Sequence, residues 1–337
     1  MSNRTIVFTA PYVTEILEKP IPTLNRDEVL IKIERTSISA GTERANLTGD
    51  PSVSWASEKK VKFPRSSGYS AVGVVCEVGD GVTTLQKGDR VACSWSKHAE
   101  YCKIKEKCAY RLPDGIPSSA AALVHIATFP MAAIRKCRLE IGESAIVMGL
   151  GVLGLIAVEL LRAAGAVPII AVDPIESKRR QALELGADYA LDPFDPDFAK
   201  TVKEITDGGA NVAIEITGKG QGLDMVLDCM KRFGRVALLG CTRNSEFTID
   251  YYRKVHGPGI TLVGAHTSAR PELESSNGWW TERDDAISII RLLKGGRIDL
   301  ARLVEEVHSP LEAVEIFERL TKEPSFPVVQ FDWTLLN

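Results

Sequence analysis

The chain has no apolar run fit to cross a membrane. The nearest, residues 145–164, carries three glycines and then Glu159 and Arg162, so it reads as a buried α/β segment. Charge of one sign is also missing: 41 Lys and Arg stand against 44 Asp and Glu. A net charge of −3 gives no electrostatic case for nucleic acid or an anionic membrane as partner. Paired cysteine spacing is absent; seven cysteines, an odd number, point to reduced thiols. The opening MSNRTIVFTAPYVTEI lacks the apolar core of a signal peptide, and a cytoplasmic location is expected. There is no low-complexity linker and no internal repeat. With 45% hydrophobic and 25% charged residues over 337 positions, a soluble protein of two domains is expected.

What the chain does have is a glycine pattern in a telling place. The strand-like run Ala145–Met148 leads into Gly149, Leu150, Gly151, Val152, Leu153 and Gly154. A helix-like stretch follows, then a second apolar run, Ile169–Val172, ending at Asp173, 19 positions after Gly154. Glycine is common, so the motif alone says little; between a strand and a helix, with the acid at that distance, it is a dinucleotide-binding fingerprint. Gly149 makes the tight turn, Gly151 admits the pyrophosphate, and Gly154 lets helix and sheet pack closely. Val152 and Leu153 open the helix whose free N–H groups face the phosphates. Asp173 accepts from the adenosine ribose and repels a 2′-phosphate, which predicts NAD rather than NADP. The basic run Lys178, Arg179 and Arg180 is the contrary signal, unless it is simply a solvated helix face.

Up to about residue 117 the chain reads as β-rich, with strands expected over 28–34 and 71–78. From 118 onward helix and strand alternate. Helices are expected over 118–137, 176–185, 222–231, 283–293 and 311–320, and strands over 211–216, 235–239, 260–263 and 327–333.

Many short motifs run in order through the chain: DEVLIKI at 27–33, SAGTE at 39–43, GYSAVGVV at 68–75, KGDRV at 87–91, AEY at 99–101, LPDG at 112–115, the fingerprint, GAD at 186–188 and GGRI at 295–298. Together they resemble the medium-chain dehydrogenase/reductase superfamily, the zinc-type alcohol dehydrogenase relatives. The resemblance implies an α/β fold: a GroES-like β-barrel catalytic domain over 1–117 and 267–337, and a Rossmann doubly wound parallel sheet over 118–266. It implies a small-molecule substrate and a homodimer or homotetramer, for which the apolar edge 260–264 is a plausible pairing strand. It also carries further cofactor contacts onto Thr128, Lys178, Thr217, Gly240, Cys241, Thr242 and His266.

The resemblance breaks at the metal. Where zinc members have a cysteine, this chain has Ala40; where they have the histidine of Gly-His-Glu, it has Tyr69; at the third ligand position it has His125. Alanine has no donor atom, and a phenol is a poor zinc ligand beside thiolate and imidazole. No metal site is expected, and an improvised one from Cys93, His98, Cys102 and Cys108 has no support in spacing. A side chain must then move the hydroxyl proton. Tyr69 and His125 are the candidates, each with a plain alternative as a buried packing residue. Thr42 takes the family's proton-relay position. Glu43 either orients a catalytic group or pairs with an arginine, and His98 reads as an ordinary surface or packing residue. For substrate, Trp279 and Trp280 form either a stacking wall for a sugar or polyol or a packing contact, with Arg270 nearby to read hydroxyls or a carboxylate. The reaction expected is zinc-independent, NAD(H)-dependent interconversion of a secondary alcohol and a ketone. The alternatives are an NAD(P)H-dependent enone or quinone reductase and a non-catalytic NAD-binding redox sensor.

Overall fold

The computed structural model describes residues 2–53 and 61–336. They form two compact units, one of residues 1–126 and 286–337, the other of residues 127–285. The sequence pattern changes at 117/118 and 266/267. The units divide later, inside the helices Val124–Lys136 and Glu282–Lys294. Among the described residues no helix is long and apolar enough to cross a membrane.

The first unit is β-rich. Its larger sheet runs in the order Glu306–His308, Val329–Asp332, Glu28–Ser37, Ser70–Val78, Arg90–Ser94, Ala109–Arg111, and Tyr101–Lys105 also pairs with Glu28–Ser37. A smaller sheet sets Ser2–Ala10 between Val13–Pro20 and Arg65–Ser66. Apolar residues alternate along Glu28–Ser37 and turn Val29, Ile31 and Ile33 into a core shared with Phe8, Phe317, Phe331 and Trp333. Phe8 meets Phe317 edge to face at 5.0 Å.

The second unit holds a six-stranded parallel sheet in the order Tyr189–Leu191, Ile169–Val172, Ala145–Met148, Ala210–Glu215, Met230–Leu238, Thr261–Gly264. Numbered along the chain that is 3-2-1-4-5-6, the doubly wound order whose crevice lies beyond the carboxyl ends of the strands. Its inner strands are apolar without interruption, as strands covered on both faces must be: Ala145–Met148 and Ile169–Val172 are wholly buried. Ile146 lies opposite Ile170 and Ala213 in register. The expected helix over 118–137 is two pieces, Ser118–Ala121 and Val124–Lys136, separated by a tight turn at Ala122 and Leu123.

Candidate active site

The glycine loop is built by collisions that only glycine avoids. Gly149 sits at φ +98°, and its N–H donates to Val172 O, closing the turn onto the neighbouring strand. A Cβ on Gly154 would run into the carbonyl oxygen of Gly149. Gly151 differs: its backbone is ordinary at φ −68°, and a Cβ there would meet no protein atom. Neither fold nor dihedral asks for glycine at 151, so the open space fits a ligand that must approach the backbone. Gly151 caps the helix Val152–Ala163, whose first turn includes Val152 and Leu153. The loop thus presents unpaired helix N–H groups and a positive dipole end, the chemistry of a pyrophosphate site.

Asp173, the residue expected to face a ribose, is engaged by the backbone of its own unit. Its Oδ2 accepts from Leu150 N and its Oδ1 from Ile175 N, each at 2.9 Å. The carboxylate therefore stitches the glycine loop to the end of the second strand and keeps lone pairs for further donors. The basic run beside it is not a solvated face. Lys178 is buried, and Arg179 donates to Asp173 O at 2.7 Å and pairs with Asp192 at 3.5 Å; of the three only Arg180 is exposed.

At the fourth strand, Thr217 donates its hydroxyl and its N–H to Glu215 Oε1. Burial pushes the Glu215 carboxyl up, and these donors pull it back. Gly240 packs against the backbone of Ile216 and Gly218, leaving Cys241 and Thr242 exposed beyond it. His266 is half-buried with Nδ1 2.7 Å from Ser268 Oγ; burial, then Lys136 and Arg243, hold its pKa below the ordinary value. Thr128 is fully buried, and its carbonyl accepts from Arg270 at 2.8 Å.

The expected substrate wall is otherwise engaged. The Arg135 guanidinium lies 3.6 Å over the Trp280 ring, and Lys136 Nζ lies 5.0 Å over Trp279. Arg135 Nε also donates to Asp285 Oδ1 at 2.8 Å, and Arg270, nearly buried, stands 3.7 Å from Asp285 Oδ2. These contacts pin residues 270–285 onto the part of the helix Val124–Lys136 that belongs to the second unit, the packing alternative for the tryptophans. Lys136 is itself strained electrostatically. Burial and the like charge of Arg270 push its amine down to about 8. The unfolded chain, with an ordinary lysine, binds more protons between about pH 8 and 10.5, so native stability rises through that window. A Lys136→Met variant is expected to melt higher than the parent at pH 7, by ~1–2 kcal/mol, and to lose that rise. Thermal melts across the window check it; a lower melting point at pH 7 with the slope retained would refute it.

In the first unit, Ala40, Tyr69 and His125 stand at the positions where the resemblance implies zinc ligands. Tyr69 is half-buried and meets the His125 ring edge to face at 5.5 Å; Trp95 meets His125 at 4.8 Å and Tyr69 at 6.4 Å. Trp95 sits at φ +60° and is 53% exposed. His125 is fully buried with Nδ1 2.8 Å from Ser94 Oγ, which lies 3.0 Å from Tyr110 Oη. Ser70 donates to Ala122 O at 2.6 Å, tying the strand after Tyr69 to the turn before His125. Thr42 is half-buried on the helix Ala40–Thr48, its carbonyl accepting from Asn46.

Glu43 does not pair with an arginine, and His98 is no surface residue. Both are buried, with His98 Nε2 3.0 Å from Glu43 Oε2. Glu43 Oε1 accepts from Ser39 N, and His98 Nδ1 is 2.7 Å from Thr36 Oγ1, which accepts from Trp333 Nε1. A carboxylate only accepts, so Nε2 carries the proton. The backbone of His98 also fixes the turn before Tyr69: His98 N donates to Ser67 O, and a Cβ on Gly68 would stand 2.6 Å from His98 N.

The donor set does not fit a zinc ion. Ala40 offers nothing, Tyr69 offers a phenol, and His125 has one nitrogen on Ser94. Among the described residues no three His, Cys, Asp or Glu side chains are grouped to hold a metal. Cys93 and Cys102 are buried in the β core, and burial raises both thiols, Cys102 to about 11. A cavity of about 500 Å³ elsewhere in the first unit is lined by Glu34, Arg35, Arg90, Ser118 and Asp332, none of them a sequence candidate. Its charges face each other, with Arg35–Asp332 at 2.7 Å and Arg90–Glu34 at 3.2 Å.

Sequence reasoning missed Ser94, Trp95 and Tyr110, and it undervalued His98. Nothing marks them locally, since each gains meaning from a partner far along the chain.

Comparison with known proteins agrees with this fold. Residues 25–133 match the alcohol dehydrogenase GroES-like domain, and residues 152–279 match the zinc-binding dehydrogenase domain. An L-threonine 3-dehydrogenase of Thermococcus kodakarensis is 32% identical over 97% of this chain and 97% of its own. A D-guloside 3-dehydrogenase of Escherichia coli K12 is 26% identical over 90% of this chain and 91% of its own. A protein of Escherichia coli CFT073 described as a short chain alcohol dehydrogenase, solved with NADH, superposes with a TM-score of 0.83 at 18% identity, covering 99% of this chain and 100% of that one. The chain belongs to the medium-chain dehydrogenase/reductase superfamily, as an alcohol dehydrogenase-like member.

Proposed function

We propose that the protein is a zinc-independent, NAD(H)-dependent oxidoreductase that interconverts a secondary alcohol of the sugar or polyol kind and its ketone. The observation that carries this reading is the edge-to-face meeting of Tyr69 with His125, two positions at which the family resemblance implies metal ligands. When bound, the nicotinamide accepts or gives the hydride. Gly149, Gly151, Gly154 and the helix start at Val152 and Leu153 hold the pyrophosphate. Asp173 and Lys178 hold the adenosine ribose, and Thr128, Thr217, Gly240, Cys241, Thr242 and His266 line the rest of the cofactor path. Tyr69 donates to the developing alkoxide, His125 takes or returns the proton, and Thr42 relays it to solvent. The carboxylate at 173 favours NAD, because a 2′-phosphate beside it would be repelled. A secondary alcohol is what the names of the threonine and guloside relatives suggest. The exposed edge strand Thr261–Gly264 suits pairing into a homodimer or homotetramer.

The test is a titration with NADH and NADPH, followed by turnover on a panel of secondary alcohols, polyols and glycosides with and without a chelator. NADH should bind at least ~10-fold tighter, about 1.4 kcal/mol, and chelation should leave turnover unchanged. A preference for NADPH with activity on enones would support the reductase alternative instead. Tight NADH binding with no turnover on any alcohol or carbonyl would support the redox sensor.

A further inference from the structure

We propose that Ser94 and Tyr110 form a hydroxyl chain that holds the His125 imidazole with its proton on Nδ1, so that Nε2 is the atom exchanging a proton with substrate. This rests on the reading of His125 as the acid/base. Ser94 ends the strand Arg90–Ser94, Tyr110 lies on the paired strand Ala109–Arg111, and both are buried. Ser94 Oγ stands 2.8 Å from His125 Nδ1 and 3.0 Å from Tyr110 Oη.

A serine hydroxyl has one proton. Set between two partners, it donates to one and accepts from the other. An imidazolium donates from both nitrogens, so whenever His125 is charged Ser94 must accept from Nδ1 and turn its own proton to Tyr110. The neutral form with Nδ1–H keeps that arrangement unchanged. The other neutral tautomer requires Ser94 to reverse. Only the first lets Nε2 gain and lose a proton with no hydroxyl reorienting, and a preorganised partner saves that reorganisation during the reaction. The logic is that of the acid which fixes the histidine tautomer in a Ser-His-Asp triad, with a neutral hydroxyl in the acid's place. The balance is simple. In oxidation the hydroxyl proton passes to Nε2, the carbinol C–H leaves as hydride to the nicotinamide, and C=O forms. Reduction reverses both transfers, and the Nδ1 proton stays throughout. Ser94 and Tyr110 are thus positioning residues acting through His125.

The experiment is ¹⁵N NMR of the full chain labelled in histidine, with the His125 signal identified by its loss in His125→Asn. The parent should show Nδ1 protonated and Nε2 bare in the neutral form. Ser94→Ala should give a mixture of tautomers and lower kcat roughly 10–100-fold on the alcohol the parent oxidises, with KM for NAD within about twofold. Ser94→Thr should restore both the single tautomer and most of kcat. A parent His125 protonated on Nε2 overturns the proposal. So does Ser94→Ala with unchanged kcat while His125→Asn is inactive. If His125→Asn keeps full turnover, the acid/base reading fails, and the NMR still reports separately whether the hydroxyls set the tautomer.

Discussion

Tyr69→Phe is expected to lose turnover by roughly 10²–10⁴-fold while binding NADH as the parent does, the range a positioned acid or base contributes. The change removes one oxygen and leaves the ring. The edge-to-face contact with His125 at 5.5 Å and the contact with Trp95 at 6.4 Å are ring contacts, and both survive. Tyr69 is only half-buried, so deleting its hydroxyl carries a small folding cost. The glycine loop proposed to hold the cofactor lies in the other compact unit, so binding and turnover should separate cleanly. Steady-state kinetics beside an NADH fluorescence titration decide it. Parent-like kcat would remove Tyr69 from the proton path and leave His125 alone in it.

Gly154→Ala should cripple the nucleotide half. The new methyl would strike the carbonyl oxygen of Gly149, a backbone atom with no rotamer to change. Gly149 is already committed at φ +98° with its N–H on Val172 O. Relief requires the helix Val152–Ala163 to lift from the sheet. Overpacking of this kind costs ~1–3 kcal/mol, and lifting the helix start misaims the N–H groups meant for phosphate, so NADH affinity should fall at least ~10-fold. Gly151→Ala is the matched control. It meets no protein atom, so its melting point should match the parent while NADH affinity falls. Equal melting points and equal affinities for all three proteins would mean that the loop holds no pyrophosphate.

The α/β fold of the second unit was legible because its constraints are local. Gly149, Gly154 and Asp173 lie within one strand-helix-strand unit, although the bond from Leu150 N to the carboxylate at 173 was not foreseen. The strands over 28–34 and 71–78 were readable for the same reason, since alternation is written in consecutive residues. The other half was not. Glu43 finds His98 55 residues away, His125 finds Ser94 31 residues away, and Arg270 finds Thr128 O 142 residues away. No pattern in a window can pair such groups. Trp279 and Trp280 were ambiguous in principle. An aromatic pair in a polar segment looks the same whether a sugar or a guanidinium will cover it.

The register of one strand pair sets the order in which the protein is born. Val329–Asp332 pairs with Glu28–Ser37, and Arg35 meets Asp332 297 residues later. Phe317, Phe331 and Trp333 complete the core that Phe8 and Ile31 begin. On a ribosome adding about 5–20 residues per second, the early strands wait tens of seconds for their last partner. Residues 127–285, contiguous in sequence, contain every strand of their own sheet. Until residues 329–332 are made, the strand Glu28–Ser37 lacks its Val329–Asp332 neighbour and leaves that edge of the sheet open.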